Sequence, residues 1–365
     1  MFVISTRNFP PEIGGMQNLM GGLANALINH GPVKVFADRS ENFEKYDKLS
    51  KVEIERFGGI KLLRKYRKAN RVIEHIRDNK NIRSIFFDHW KSVEKINSEI
   101  IKSIPTFCLI HSKEINHSIG SASNKRVLNS ITKVKYVIAN SNFTKNLGIQ
   151  IGIPENKIHI IHPGCNDPIK IEKNFQTQAE EIYRDSFPKI VTVARLDKRK
   201  GHDKILMLLK NLKPKFPKIK YVSIGFGKEE NNLLKLTKEL SLEKEVTFLK
   251  NIDYNLKTAL IAEANLFLMP TRIEKKSVEG FGISYIEAAS YGVGSIGGKD
   301  GGASDAIVHN ETGLICDGND LNSIYDSAVS FFKDENFIKY GRNAQKFSEK
   351  FHWNKIVKDY LKLIN

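Results

Sequence analysis

"KIVTVARLDKRKGH", Lys189 to His202, carries an apolar run straight into a basic turn, and Gly201 opens the helical pattern that follows. A short apolar run, a polar turn and a helix make the repeating unit of an α/β fold. The unit recurs along the chain. In the second half "KYVSIG", "EVTFL", "NLFLMP" and "VGSIG" alternate with helical segments, as "FVIS", "VKVFAD", "SIFFDH", "PTFCLI", "KYVIAN" and "IHIIHPG" do in the first. Met16 to His30, closed by Gly31, is one such helical pattern. The alternation implies parallel sheets covered on both faces, the doubly wound arrangement. Pro163 to Pro188 is polar and follows neither period, so it reads as a linker. The expected fold class is α/β: two Rossmann-like doubly wound domains, 1–170 and 186–350, facing across a cleft at the carboxyl ends of their strands. The amphipathic tail "FHWNKIVKDYLKLIN", 351–365, suits the surface of either domain.

Size and composition allow this. The chain has 365 residues, 41% of them apolar, enough for two cores. No run of apolar residues is long enough to cross a bilayer. "MFVIS" reads as a strand from the first residue, so no signal peptide is expected. Cys108, Cys165 and Cys316 lie far apart, which fits reduced thiols in a cytoplasm better than a disulfide framework or a thiolate metal site. The net charge is +17, and Met1 to Lys170 holds 27 basic against 15 acidic residues. That asymmetry fits a first half meeting an anionic surface; a lysine-rich, solvated exterior fits it as well.

Motifs belong on the strand ends, and they fall there. In "PPEIGGMQNLMGG", Gly14 and Gly15 precede a helix whose exposed amides suit a phosphate; a plain turn is the other reading. No G-x-G-x-x-G is present. "GSIGGKD" lacks the P-loop spacing, with Val293 where the first glycine belongs, which disfavours a nucleotide kinase or ATPase. Arg195 and Lys200 leave one strand end together, two cations fit for a pyrophosphate leaving group or for a solvated basic turn. "SVEGFGISYIEAASYG", Ser277 to Gly292, sets Glu279 before a helix and Glu287 inside it. Gly280 and Gly282 admit close backbone approach, and amides near Phe281 to Ile283 suit phosphates, while the carboxylates suit sugar hydroxyls. Both carboxylates are expected to line a solvent-filled cleft. Read alone, Glu279 could simply complement the helix dipole and Glu287 lie on the surface. "GGKDGGASDAIVHNETGLI" adds another glycine-rich turn on the same rim.

In order along nearly the whole chain, "PPEIGGMQ", strand-end His111, "HPGCND", "VARLDKRKG", "GFG", "VTFLKNID", "MPTR…VEGFGISYIEA" and "GG…DAI…NETGLI" resemble the retaining GT-B glycosyltransferases of family 4 (glycosyl transferases group 1), which include the bacterial phosphatidylinositol mannosyltransferases. The resemblance implies roles. Glu279, with the amides of Gly280, Phe281, Gly282 and Ile283, would hold donor sugar and phosphates. Glu287 would accept from ribose hydroxyls. Arg195 and Lys200 would neutralise the departing diphosphate, Gly14 and Gly15 would face the donor phosphate, and His111 would lie by the sugar. The base would sit near Phe248 to Asp253, on Leu249, Ile252 and Asp253. The last helix, from Phe351, would return to the first domain. "GGASD" and "YGVGSIG" depart from the family's usual turns.

The resemblance implies transfer of a hexose from GDP-mannose or a UDP-hexose to a hydroxyl of a lipid, lipid-linked or glycan acceptor, with retention. No D-x-D or His/carboxylate cluster indicates a metal, and no cofactor is expected. Three alternatives stay open: a GT-B nucleotide-sugar epimerase, a glycosyltransferase acting on modified DNA bases, and a basic nucleic-acid-binding protein, although the last lacks interleaved aromatics and any nucleic-acid module. Finally, "KLLRKYRKANRVIEHIRDNKNIR", Lys61 to Arg83, holds nine basic and two acidic residues with Leu62, Leu63, Tyr66, Ile73 and Ile76 interspersed. It reads as a basic amphipathic helix for an anionic membrane, with Arg64, Lys65 and Lys68 as its cations; a helix facing the core, or phosphate backbones, would use the same residues.

Overall fold

The computed structural model describes residues 1–365, folded as two compact units: Met1–Asn166 together with Phe351–Asn365, and Asp167–Lys350. In the first unit seven strands, β1 (Phe2–Thr6), β2 (Val33–Asp38), β3 (Glu53–Phe57), β4 (Ser84–Phe87), β5 (Thr106–Ile110), β6 (Tyr136–Ala139) and β7 (Ile158–Ile160), stand in the order β3-β2-β1-β4-β5-β6-β7. Every neighbouring pair is parallel. Central strands β1 and β5 are buried throughout, because helices cover both faces. Alternate residues therefore feed two cores: Val3, Ile85 and Phe87 meet Val72, Ile76 and Val127 on one face. On the other, Phe2, Ile4, Phe86 and Phe107 meet Leu23, Leu27, Ile356 and Tyr360. The last two residues belong to the C-terminal helix Trp353–Ile364, whose apolar stripe lies on the first sheet. Tyr360 stands edge-on to Phe86 at 5.6 Å and to Phe107 at 5.9 Å. Truncating so large a buried aromatic would cost about 3–5 kcal/mol.

The second unit repeats the plan with six strands: β8 (Lys189–Val193), β9 (Lys220–Ile224), β10 (Val246–Leu249), β11 (Leu266–Met269), β12 (Ser295–Gly298) and β13 (Gly313–Cys316). Their order is β10-β9-β8-β11-β12-β13, again all parallel. Ile190, Tyr221, Leu266, Leu268 and Ile296 form one core with the helix His202–Leu212 and with Phe331 and Phe332. Both units thus have the doubly wound arrangement. In each, strand order reverses at the middle, between β1 and β4 and between β8 and β11, where such sheets bind ligands.

Three elements escape the sequence reading. β3 is an edge strand of alternating charged residues, held in register by Lys34 beside Glu53 and Glu55 rather than by an apolar run. β13 is four residues inside what reads as a glycine-rich turn. Lys173–Tyr183, within the supposed linker, is a helix; only Ala179 and Tyr183 are buried, too thin a stripe to show a period.

The basic segment also differs from its reading. The helix spans Lys61–Asp78, with Lys68, Ala69, Val72 and Ile76 buried and Ile73 packed against the core. Arg64 pairs with Asp38 at 3.2 Å, and Lys65 pairs with Glu94. Lys68 donates to Asp38 Oδ1 at 2.6 Å and to the Thr6 carbonyl. These three cations are therefore engaged in ion pairs, Lys68 buried and Arg64 and Lys65 half-buried. What stays exposed is Ile60 at 72%, Leu62 at 64%, Leu63 at 57% and Tyr66 at 44%. No helix is long and apolar enough to cross a membrane.

Candidate active site

The reversal between β8 and β11 brings two loops together. The β8 loop runs through Arg195 and Asp197 into a single turn, Lys198–Lys200, and ends at Gly201. Gly201 has φ +78°, and a Cβ there would lie 2.4 Å from the Pro270 carbonyl oxygen on the β11 loop. Only glycine allows both that backbone and that approach. Arg272, just beyond β11, grips Asp203 bidentately at 3.0 and 2.9 Å, while its N–H donates to the Arg199 carbonyl at 2.9 Å. The two loops are thus tied by backbone and by side chain. Gly282, at φ +87°, then starts the helix Ile283–Ser290, its carbonyl accepting the Tyr285 N–H at 2.9 Å.

This scaffold places Glu279 against two cations. Lys200 Nζ and Arg199 Nη1 both donate to Glu279 Oε2, the latter at 2.8 Å. Arg199 Nε lies 3.4 Å from Asp197 Oδ1. Burial pushes the Glu279 carboxyl up, but Lys200 and Arg199 outweigh it and hold it down at about 2. Burial lowers Lys200 even though Glu279 opposes the shift. Glu279 is therefore not washed by solvent as the sequence suggests; its side chain is only 13% exposed. Loop closure around Gly201 encloses it.

Glu287 lies inside the helix, half-buried, with Oε2 3.3 Å from Lys257 Nζ. Lys257 sits over the ring of Tyr254 at 4.6 Å. Leu249 and Ile252 are half-buried nearby in sequence. Asp253 caps the helix Tyr254–Ala262 by accepting the Asn255 N–H at 2.7 Å, a structural duty. Gly280 and Ile283 are half-buried, and the Phe281 ring is buried.

The structure joins Lys200 to Glu279 but leaves Arg195 apart, its side chain 70% exposed and 3.9 Å from Asp197. Arg199 holds the place beside Glu279, and sequence reasoning missed it. Its only signal was position, one residue before Lys200 in "LDKRKG".

In the first unit, Gly14 caps the helix Gly15–Leu27 after β1, and a Cβ on Gly15 would meet no atom within 4 Å. Neither packing nor a left-handed φ demands glycine at that position. His111 follows β5 and opens a short helix, Ser112–Ile115. Its N–H donates to Glu114 Oε1 at 2.6 Å, and its Nε2 lies 3.3 Å from the Asp88 carbonyl. Burial lowers the His111 pKa. Glu114 moves the other way, pushed up to about 8 by burial because its hydrogen bonds come from backbone N–H groups without full charges. Asp88 is fully buried, accepting from Ser92 Oγ at 2.7 Å and from the Arg7 N–H at 2.9 Å.

The model described as "Glycosyltransferase Family 4" matches residues 13–167, and "Glycosyl transferases group 1" matches 174–349. A GDP-mannose-dependent alpha-(1-6)-phosphatidylinositol monomannoside mannosyltransferase of Mycolicibacterium smegmatis is 25% identical over 344 residues, 91% of this chain and 89% of that one. A monoacylated-substrate counterpart from Corynebacterium glutamicum is 25% identical over 346 residues, 91% and 88% of the two chains. Among solved structures, Anabaena Alr3699/HepE in complex with UDP superposes with a TM-score of 0.82 at 17% identity, covering 99% and 98% of the chains. A glycosyltransferase from Rickettsia africae gives 0.80 at 19% identity, covering 100% and 97%. With a family model on each unit and GT-B folds as its structural neighbours, the chain belongs to the glycosyl transferases of group 1 and family 4 and has their GT-B fold.

Proposed function

We propose that this glycosyltransferase moves a hexose from a nucleoside diphosphate sugar to an acceptor hydroxyl, retaining the anomeric configuration and using fixed cations in place of a metal. The observation that carries this reading is the Arg199–Glu279–Lys200 cluster at the β8/β11 reversal. A leaving diphosphate develops charge that needs preorganised positive partners, and Lys200 with Arg195 supplies them from one loop. Glu279, kept ionised by its cations, accepts from sugar hydroxyls, and Glu287 from the ribose. The sugar C1–O bond to the phosphate breaks and the acceptor oxygen bonds to C1 on the same face. The acceptor proton passes to the departing phosphate oxygen.

GDP-mannose is the first choice of donor, because the relatives that span most of the chain are named as GDP-mannose-dependent. UDP-hexoses are the competitors. The test offers GDP-mannose and UDP-hexoses with and without lipid and glycan extracts, following free nucleoside diphosphate and product mass. Nucleotide released only with acceptor supports transfer; sugar interconversion without acceptor would make the protein an epimerase instead. Full activity in EDTA is expected.

The acceptor we favour is a lipid or lipid-linked hydroxyl at the cytoplasmic face of an anionic membrane. Ile60, Leu62, Leu63 and Tyr66 are exposed together at the start of one helix, beside Lys61 and Arg67. Such a turn suits an interface where apolar side chains dip between charged headgroups. Co-sedimentation with phosphatidylglycerol vesicles should fall when Leu62 and Leu63 become Gln and when salt rises. Equal binding to neutral vesicles, or none at low salt, would rule this out in favour of a soluble glycan.

A further inference from the structure

Arg199 and Lys200 meet the same carboxylate oxygen, Glu279 Oε2, so one carboxylate is served by two cations. The local count is three cations, Arg195, Arg199 and Lys200, against two carboxylates, Asp197 and Glu279. The two partners of Glu279 are unequally fixed. Arg199 is bracketed by Asp197 at 3.4 Å and Glu279 at 2.8 Å, and its carbonyl takes the Arg272 N–H. Lys200 holds Glu279 with a single ammonium on a flexible stem, its other neighbour being the Met269 sulfur at 3.5 Å. A diphosphate drawing Lys200 away would strand a largely enclosed carboxylate, unless a second cation were already in place.

We propose that Arg199 is the reserve counter-ion of Glu279: it holds the carboxylate ionised and in position while Lys200 turns to the donor's diphosphate. Arg199 is thus a positioning residue, and it bridges Asp197 and Glu279 when Lys200 is engaged. The excess positive charge of this cluster then matches the arriving phosphates. This rests on the donor reading above.

The test follows the Glu279 carboxylate by NMR, assigned by its disappearance in Glu279→Gln, in wild type, Arg199→Met, Arg199→Gln and Arg199→Lys, each with and without GDP or UDP. In wild type and Arg199→Lys, adding nucleotide should leave Glu279 well below the usual carboxylate range. In Arg199→Met and Arg199→Gln, nucleotide should bring its titration up into that range. Turnover in these two should fall by about tenfold or more, with an acid limb that Arg199→Lys removes. Two uncharged variants guard against one failing to fold. Nucleotide binding by all proteins with unchanged Glu279 titration would overturn the reserve role alone. Wild type that binds neither nucleotide would overturn the donor reading, and the reserve role with it.

Discussion

Glu114 in the first unit and Glu279 in the second are both partly buried glutamates just beyond the carboxyl edge of a parallel sheet, yet their protonation is opposite. Burial pushes each carboxyl up. Around Glu114 the compensation comes from backbone N–H groups, including that of His111, and the carboxyl settles at about 8. Around Glu279 it comes from Lys200 and Arg199, and the carboxyl settles at about 2. Enclosure alone therefore does not decide the charge of a site glutamate; the formal charge of its partners does. The first unit keeps a neutral carboxyl beside His111, and the second keeps a carboxylate clamped between cations.

The largest test removes the clamp's anion. Glu279→Ala leaves Lys200 buried without its counter-charge and Arg199 with Asp197 alone, so unfolding in urea should show a loss of about 3–5 kcal/mol. Turnover should fall on the order of 100-fold or more. Unchanged stability would mean the cluster relaxes into solvent and the contrast with Glu114 is illusory. A smaller, pH-dependent effect is expected of Glu114→Gln. A carboxyl whose pKa is raised by folding binds more protons in the native state, so the contribution of Glu114 to stability, read as the wild-type value minus that of Glu114→Gln, declines as pH rises from the ordinary carboxylate range to about 8. The slope is on the order of 1 kcal/mol per pH unit, and Gln, neutral throughout and able to accept the His111 N–H, should abolish it. Denaturation midpoints compared across that window check the sign; parallel curves for the two proteins would refute a protonated Glu114. Smallest on stability is Glu287→Ala, whose Lys257 pair is more exposed and worth under about 1 kcal/mol. Its effect should instead be read by calorimetry, as roughly tenfold weaker binding of GDP or UDP. A large stability loss without weaker binding would reassign Glu287 to structure.

The glutamates also show how far residues could be read before their surroundings were known. Glu279 and Glu287 stood out because glycines and a helix start flank them, a local signal that survives in any fold context. That Glu279 would be clamped, and that Arg199 rather than Arg195 would clamp it, was not legible. Arg195 and Arg199 occupy one basic turn, and only the path of that turn around Gly201 and Pro270 decides which guanidinium meets the carboxylate. Lys68 teaches the same from the first unit. It lies among basic residues that read as a surface, yet its stem is buried and its ammonium is spent on Asp38 and Thr6.

By itself the sequence determined the alternation of strands and helices, hence two doubly wound sheets, because buried parallel strands require continuous apolar runs and their crossovers require helical stripes. It also marked the strand ends where glycines and charges gather. The tertiary structure alone decided the edge strand β3, the short β13, the helix within the supposed linker, and every pairing of charges. The reason is physical. Periodicity is a property of neighbours in the chain, whereas edge position, enclosure and ion pairing depend on groups distant in sequence, such as Lys200 and Glu279, that meet only when two loops are brought to the same reversal of strand order.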